Sequence, residues 1–469
     1  MTNLQKLKEN RKKIQNATQN IRSFVENIID EASFVETDAF FSSKSFFDGV
    51  EALGEGVLTG TASIGGRSVA IIAENSDVLG GSMSRAHADK ILKLIGIAID
   101  RNLPVISISD STGARIAEGV SVLEGYADVI SAAMDLNRYV PHIAIIKGNA
   151  VGLGAIFAET ADFAFMSKDG VVSLNPPKCV ISGANENLPA PELLGSAALS
   201  ENGLAVTATY EDFEQLRRKT VFLLDYFTTI IVENNDSPNR TLASLNKNHP
   251  VNAVVETLVD KGSVVEFYPN YEKGVFTGLA TINGVVSGIV ATNYNGESER
   301  ISKNQVGKIT KFVKLISSFE IPLVTVLDAE GFDTCLKCEQ KGVVNEVLEL
   351  IRAINDDDNH KIAIITGKAV GAAYVALASK GMGFHTFAFP DAYVSPVTSS
   401  VAVDVLEDSK EYATASDPIE LKEKLIKKYE EDFANPFIAL KEGYVDDVIE
   451  PALVRPYVSN VLLTIFEEK

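Results

Sequence analysis

Gly56-Val57-Leu58-Thr59-Gly60-Thr61-Ala62-Ser63-Ile64-Gly65-Gly66 reads against Gly274-Val275-Phe276-Thr277-Gly278-Leu279-Ala280-Thr281-Ile282-Asn283-Gly284. Working outward, Pro104-Val105 through Asp110 answers Pro322-Leu323 through Asp328 at the same offset, 218 positions (322 − 104). Ile143-Ala144-Ile145-Ile146, Gly148, Ala150, Val151 and Gly152 then answer Ile362-Ala363-Ile364-Ile365, Gly367, Ala369, Val370 and Gly371 at 219 (371 − 152). Shared composition does not hold an offset this steady over about a hundred positions, so one unit has been duplicated. Each copy is long enough to be a domain with its own core, and the spacing predicts domains over 1–240 and 241–469.

The bulk properties limit what such a chain can do. Hydrophobic residues at 46% and charged residues at 23% are ordinary for a globular protein, which excludes disorder as the reading. A formal charge of −20 argues against unaided binding to nucleic acid or an anionic membrane surface, both of which need a concentrated positive field. Three cysteines, Cys179, Cys335 and Cys338, cannot build a disulfide framework. The polar start from Met1 to Lys13 carries no export segment, so a cytoplasmic location is expected. No apolar run approaches the roughly 18 residues that cross a bilayer.

Local patterns give the layers. Leu4, Leu7, Ile14, Ile21, Val25 and Ile28 recur at helical spacing and predict an amphipathic helical lead-in. Ser68–Ala73 and Val105–Ser109 are short apolar runs of strand type, with helices expected over 84–100 and 119–136. The second copy repeats the order, with strands at Val324–Leu327 and Ile362–Ile365 and a helix from Val343 to Ile354. This alternation predicts an α/β fold of helices on a largely parallel sheet, with ligands at the strand ends. The polar stretch from Val232 to Pro250 reads as a linker, and the charged helix 418–429 as a solvated face.

Each copy carries two turns of small residues where strands end. In the first they are Asp110-Ser111-Thr112-Gly113-Ala114-Arg115 and Gly148-Asn149-Ala150-Val151-Gly152-Leu153-Gly154; in the second, Asp328-Ala329-Glu330-Gly331-Phe332 and Gly367-Lys368-Ala369-Val370-Gly371-Ala372-Ala373. Backbone N–H groups at such turns, and at the start of the following helix, can be aimed at a developing negative charge, as in an oxyanion hole. Taken singly, a tight strand-to-helix turn explains each as well; the pairing in both copies favours oxyanion holes. Arg115 either anchors its turn through a carboxylate or touches a phosphate. His87 reads as a packing residue, and Glu118 and Glu159 as caps or as an acid/base pair. Cys335 and Cys338 have zinc-ligand spacing without a second pair, which leaves loop thiols, a metal shared between subunits or a redox switch.

Gly80-Gly81-Ser82 with Ala86-His87-Ala88-Asp89-Lys90-Ile91, Asp110-Ser111 with Gly113-Ala114-Arg115-Ile116, Thr160-Ala161-Asp162-Phe163 and Ile321-Pro322-Leu323 carry a wider resemblance. So do Phe433-Ala434-Asn435-Pro436-Phe437 and Gly443-Tyr444-Val445-Asp446-Asp447-Val448-Ile449-Glu450-Pro451. Over nearly its whole length the chain resembles the carboxyltransferase (beta) subunits of biotin-dependent acyl-CoA carboxylases, propionyl-CoA carboxylase type. That resemblance implies two tandem crotonase-like domains, the first on the acyl-CoA side and the second on the biotin side. It implies that carboxyl transfer between carboxybiotin and the α-carbon of a short acyl-CoA proceeds through enolates held in two oxyanion holes. Gly113 or Ala114, with Gly152 and Leu153, would hold the thioester oxygen. Gly371, Ala372 and Ala373 would serve the biotin side, with Gly331 and Phe332, and Arg115, as cofactor-binding residues. Biotin would arrive on a biotin carboxyl carrier protein charged by a biotin carboxylase subunit, since the chain has neither an Ala-Met-Lys-Met type site nor an ATP-binding glycine loop. A homo-hexamer is implied as well.

The chain departs from that pattern at Thr112, Leu153 and Ala372, where glycine is usual, and Leu153 is expected to crowd the acyl pocket. The stretch Asp333-Thr334-Cys335-Leu336-Lys337-Cys338-Glu339-Gln340 also differs, and a basic Gly-Lys-Leu-Thr type stretch is missing between Asn16 and Glu31. Three other readings stand beside the leading one: the carboxyltransferase subunit of an acyl-CoA decarboxylase, a non-catalytic scaffold, and a one-domain hydratase or hydrolase.

Overall fold

The computed structural model describes residues 2–42, 52–184, 188–406 and 417–467. The chain forms two compact units, Met1–Thr228 and Thr229–Lys469. In the first, α1 (Asn3–Ala17) and α2 (Gln19–Ile28) break at Thr18, and β1 (Val35–Thr37), β2 (Val57–Ile64) and β3 (Arg67–Glu74) form an antiparallel edge. Then α3 (Arg85–Arg101), β4 (Val105–Ser111), α4 (Val120–Leu136), β5 (His142–Val151), α5 (Leu153–Glu159), β6 (Phe163–Met166) and β7 (Val171–Ser173) alternate. Short helices α6 (Pro177–Ala184), α7 (Ala190–Leu194) and α8 (Ser196–Asn202) lead to β8 (Ala208–Thr209) and α9 (Phe213–Thr228). The sheet order is β1-β2-β3-β4-β5-β6-β8, parallel from β3 onward, with β7 also on β5.

The second unit repeats this plan. It runs α10 (Val251–Leu258), β9 (Val265–Glu266), β10 (Val275–Ile282), β11 (Val285–Thr292), α11 (Lys303–Ser318), β12 (Leu323–Ala329), α12 (Leu336–Gln340), α13 (Val343–Asn355) and β13 (Lys361–Val370). It continues through α14 (Gly371–Ala378), β14 (Phe384–Ala388), β15 (Tyr393–Ser395), α15 (Ser399–Leu406), further helices and β16 (Asp447–Val448) to a last helix, Val454–Glu467. Its sheet order is β16-β14-β13-β12-β11-β10-β9, with β15 on β13.

The apolar runs became central strands because both faces are covered. Val105, Ile106, Ile143, Ala144 and Ile145 are fully buried, as are Val324, Val326, Ala363 and Ile364. Fully burying such a Val, Leu or Ile side chain stabilises by about 1.5–3 kcal/mol. The stretch from Val232 to Pro250 differs from the expected linker. Ile231 bridges Val285, the Val232 N–H donates to the Gly284 carbonyl at 2.8 Å and Leu245 is buried, so this segment packs on the second unit. That is why the division falls at Thr228/Thr229, before the expected position at 240/241.

Polar groups extend the duplication past the glycine turns. Asp30 accepts from the N–H groups of Gly65 and Gly66 and from Arg217, while Asp260 accepts from those of Asn283 and Gly284 and from Arg455. The Gly66 N–H, then Arg217, hold the Asp30 carboxyl well below the usual carboxylate range. Lys90 donates to the Gly54 and Val57 carbonyls, and Lys308 to those of Tyr268, Tyr271 and Val275. Burial pushes both lysines down to about 8.

Candidate active site

Within each unit, the two small-residue turns lie side by side at the ends of adjacent parallel strands. Ser111 is in register with Ala150, and Ala329 with Ala369. Gly113 (φ +98°) sits where a β-carbon would be 3.1 Å from the Val151 carbonyl, and Gly331 (φ +97°) is 3.6 Å from the Val370 carbonyl by the same measure. That φ lies in the region L side chains rarely adopt, which explains why both positions are glycine.

The hydrogen bonds decide which N–H groups face outward. Met83 N–H donates to the Gly113 carbonyl and Arg115 N–H to the Met83 carbonyl, a parallel bridge that turns the Ala114 N–H to the opposite side. Ile301, Gly331 and Asp333 make the same bridge, which turns the Phe332 N–H outward. Gly113 donates its own N–H to Ser111 Oγ at 3.1 Å, and Gly152 donates to the Ser173 carbonyl at 2.8 Å. Of the residues expected in the first hole, these two N–H groups are therefore engaged inside the protein. Ala114 remains, with Leu153, whose N–H opens α5 and is one of the first-turn donors a helix leaves unpaired. Gly371, Ala372 and Ala373 open α14 likewise. The Leu153 side chain is half-buried and packs on the core beneath α3 and α4.

One carboxylate in each unit ties the two turns together. Asp110 sits against Gly148 so closely that a β-carbon there would lie 2.1 Å from Oδ1; for Asp328 and Gly367 the figure is 2.4 Å. Asp110 also accepts from Ser76 Oγ and Lys147, and Asp328 from the Lys368 N–H and Asn293 at 2.8 Å each. A cavity of about 900 Å³ opens beside the second turn, lined by Lys368, Val370, Tyr393, Ser399 and Glu430. Such volumes are in the range of small-molecule sites.

Residues 13–467 match the carboxyl transferase domain. The chain belongs to the carboxyl transferase family. It is 32% identical over 460 residues to the human mitochondrial propionyl-CoA carboxylase beta chain, covering 92% of this chain and 83% of that one. It is 30% identical to the methylmalonyl-CoA carboxyltransferase 12S subunit of Propionibacterium freudenreichii subsp. shermanii, covering 95% and 88%. A solved transcarboxylase 12S structure, a hexamer with hydrolysed methylmalonyl-coenzyme A bound, superposes with a TM-score of 0.91 at 27% identity over 98% of this chain and 95% of that one. The two-sheet α/β architecture agrees with that crotonase-like fold.

Other site residues of this carboxyltransferase have settled places. Arg115 is buried, donating to Glu55 Oε2 at 2.8 Å and the Ser82 carbonyl at 3.0 Å, so of its two expected uses the structure supplies the carboxylate anchor. Glu118 accepts the Arg85 N–H at 2.8 Å, a cap on α3. His87 is buried with Nδ1 2.9 Å from the Glu55 carbonyl, and burial pushes it down to about 3, so it is neutral. Among the described residues no group of three or more His, Cys, Asp or Glu side chains could hold a metal. No helix of the described residues is long and apolar enough to cross a membrane.

Sequence reading missed Glu74, which lies beneath the first turn with Oε1 3.9 Å from His87 Nε2. Burial raises it from its ordinary 4.5 to about 8, against an opposing hydrogen bond from the Asp110 backbone. The folded chain therefore holds a proton that the unfolded chain has lost between those values, and stability falls as pH rises across that window. In Glu74→Gln this contribution vanishes. Urea unfolding is expected to show the variant gaining on wild type from about pH 4.5 to about pH 8, with a constant gap above. Parallel pH profiles for the two proteins would contradict it.

Proposed function

We propose that the chain is the carboxyltransferase subunit of a biotin-dependent acyl-CoA carboxylase, moving a carboxyl group between carboxybiotin on a separate carrier and the α-carbon of a short acyl-CoA such as propionyl-CoA. The observation that carries this reading is the pair of N–H-bearing turns, built twice with the same bridge and the same clamping aspartate. Two substrates whose oxygens both gain negative charge call for two such sites.

On this reading the Ala114 and Leu153 N–H groups hold the thioester oxygen as the α-proton leaves. The N–H groups of Phe332, Ala372 and Ala373 hold the ureido oxygen; the outward-turned Phe332 N–H and the first-turn donors of α14 fit that group. Bound carboxybiotin supplies the carboxyl group. Donors fixed in place before the reaction need no reorganisation as charge appears, and one such donor is worth about 2.7–4 kcal/mol of barrier. On this reading its partners are a biotin carboxyl carrier protein and a biotin carboxylase subunit, and it assembles as a hexamer, as the solved transcarboxylase 12S subunit does.

The test is exchange of ¹⁴C between labelled methylmalonyl-CoA and unlabelled propionyl-CoA, with and without free biotin or a biotinylated carrier. Exchange that requires biotin, and that falls by about 10²–10³-fold in Gly152→Val and in Gly371→Val, is expected. Acyl-CoA binding without biotin-dependent exchange under any of these conditions would refute the reading.

A further inference from the structure

Cys335-Leu336-Lys337-Cys338 follows directly on the Gly331–Phe332 turn, yet neither donor turn uses it. We propose that Cys335 and Cys338 are a reversible dithiol–disulfide site that reacts with low-molecular-weight disulfides. Cys335 caps α12, its sulfur accepting the Cys338 N–H at 3.3 Å. Cys335 is exposed and Cys338 half-buried, which makes the first the accessible attacking group and the second the resolving one. The hydrogen bonds from Cys338, its thiol and then its N–H, hold the Cys335 thiol below its ordinary value, which raises the thiolate fraction. Among the described residues no group of three or more His, Cys, Asp or Glu side chains could hold a metal here.

The chemistry balances as two exchanges. Cys335 loses its proton to solvent and its thiolate attacks one sulfur of the small disulfide, whose S–S bond breaks and releases one thiol on protonation. Cys338 then loses its proton and attacks the Cys335 sulfur of the mixed disulfide, releasing the second thiol. Two electrons pass from the dithiol to the small disulfide.

Closure has a mechanical consequence. Cys335 is the extended N-cap of α12 (φ −100°, ψ 126°) and Cys338 its third residue, and a disulfide holds their β-carbons at about 3.5–4.5 Å. Closure therefore ties the first turn of α12 covalently to its cap, Cys335. Thr334 alone separates it from Asp333, whose N–H donates to the Ile301 carbonyl in the bridge that aims the Phe332 N–H. Oxidation thus constrains the chain two residues from the bridge of the second donor turn, and its effect on exchange rests on the proposed function above.

In the test, the full chain is equilibrated with reduced and oxidised glutathione at rising oxidised fraction, quenched in acid and alkylated. The peptide carrying both cysteines is weighed, and carboxyl exchange is measured on the same samples. A peptide lighter by two hydrogens and resistant to alkylation is expected, reversed by dithiothreitol, while exposed Cys179 forms only a glutathione adduct. In Cys338→Ser the reaction is expected to stop at the adduct on Cys335. Exchange is expected to fall by up to about 10²-fold on oxidation of wild type and to persist in Cys335→Ser/Cys338→Ser under the same oxidant. Alkylation of both thiols at every ratio, or adducts without ring closure, would overturn the site; a closed disulfide with unchanged exchange would overturn its coupling to the turn. Exchange by the reduced chain reports on the proposed function separately.

Discussion

Gly148→Ala is expected to lower biotin-dependent carboxyl exchange by about 10²–10³-fold while the chain still folds. The added β-carbon would lie 2.1 Å from Asp110 Oδ1 and 2.7 Å from its Cγ, so one side must move. Asp110 is held by Ser76 and Lys147, and its own carbonyl is packed against Gly81, where a β-carbon would be 2.3 Å away. The backbone at 148 is therefore the part that yields, and Asn149 to Leu153 moves with it. On the proposed function, the Leu153 N–H is then displaced from its place beside that of Ala114, which amounts to the loss of one oxyanion donor. Over-packing of this kind costs about 1–3 kcal/mol, visible as a lowered melting temperature without unfolding. Gly367→Ala, 2.4 Å from Asp328 Oδ1, is expected to act in the same way in the second unit. Gly96→Ala is the control, since it lies within α3 with nothing within 4 Å of the new atom; it is expected to stabilise by about 0.5–1 kcal/mol and leave exchange alone. Wild-type exchange by Gly148→Ala, with the lowered melting temperature present, would refute the positioning role of Asp110.

The layers were legible in the sequence because apolar runs such as Ile143–Ile146 and Ile362–Ile365 must be covered on both faces, and only helices between parallel strands do that. The turns were legible because positive φ demands glycine at Gly113 and Gly331. What decides the donor at each turn was not legible. Gly113 looks as good a donor as Ala114 until Ser111 Oγ is seen to take its N–H, a contact between residues two apart that no spacing rule signals. The equivalence of Asp30 with Asp260 was hidden because its offset is 230 (260 − 30), so length changes before the glycine turns broke the register of the repeat. Glu74 went unread because it ends an apolar strand as an ordinary polar stop would, and only burial shows that it holds a proton. The buried lysines Lys90 and Lys308 did leave a signal, the same residue at the common offset of 218 (308 − 90), on the apolar side of two helices.

Arg115→Ala is expected to destabilise the ligand-free chain by about 3–5 kcal/mol, because it strands the Glu55 carboxylate in the interior. Arg115 is 5% exposed and Glu55 0%, and water cannot take over from the guanidinium. Glu55 is further committed: its Oε2 accepts from Ser84 Oγ at 2.7 Å, and its backbone carbonyl meets His87 Nδ1 at 2.9 Å. Arg115→Lys recovers only part of the loss, since a single ammonium cannot reach both Glu55 and the Ser82 carbonyl as the planar fork does. Arg115→Met/Glu55→Gln, which removes both charges, is expected to be more stable than Arg115→Ala, and urea unfolding of the four proteins measures the order. The same series separates the two uses that Arg115 could have. A guanidinium reserved for a coenzyme A phosphate would weaken acyl-CoA binding when removed and leave the ligand-free chain as stable as before. Removing a guanidinium that anchors the turn through Glu55 destabilises the ligand-free chain first, and is expected to affect exchange because it frees the backbone of residue 115, whose N–H donates to the Met83 carbonyl in the bridge that turns the Ala114 N–H outward.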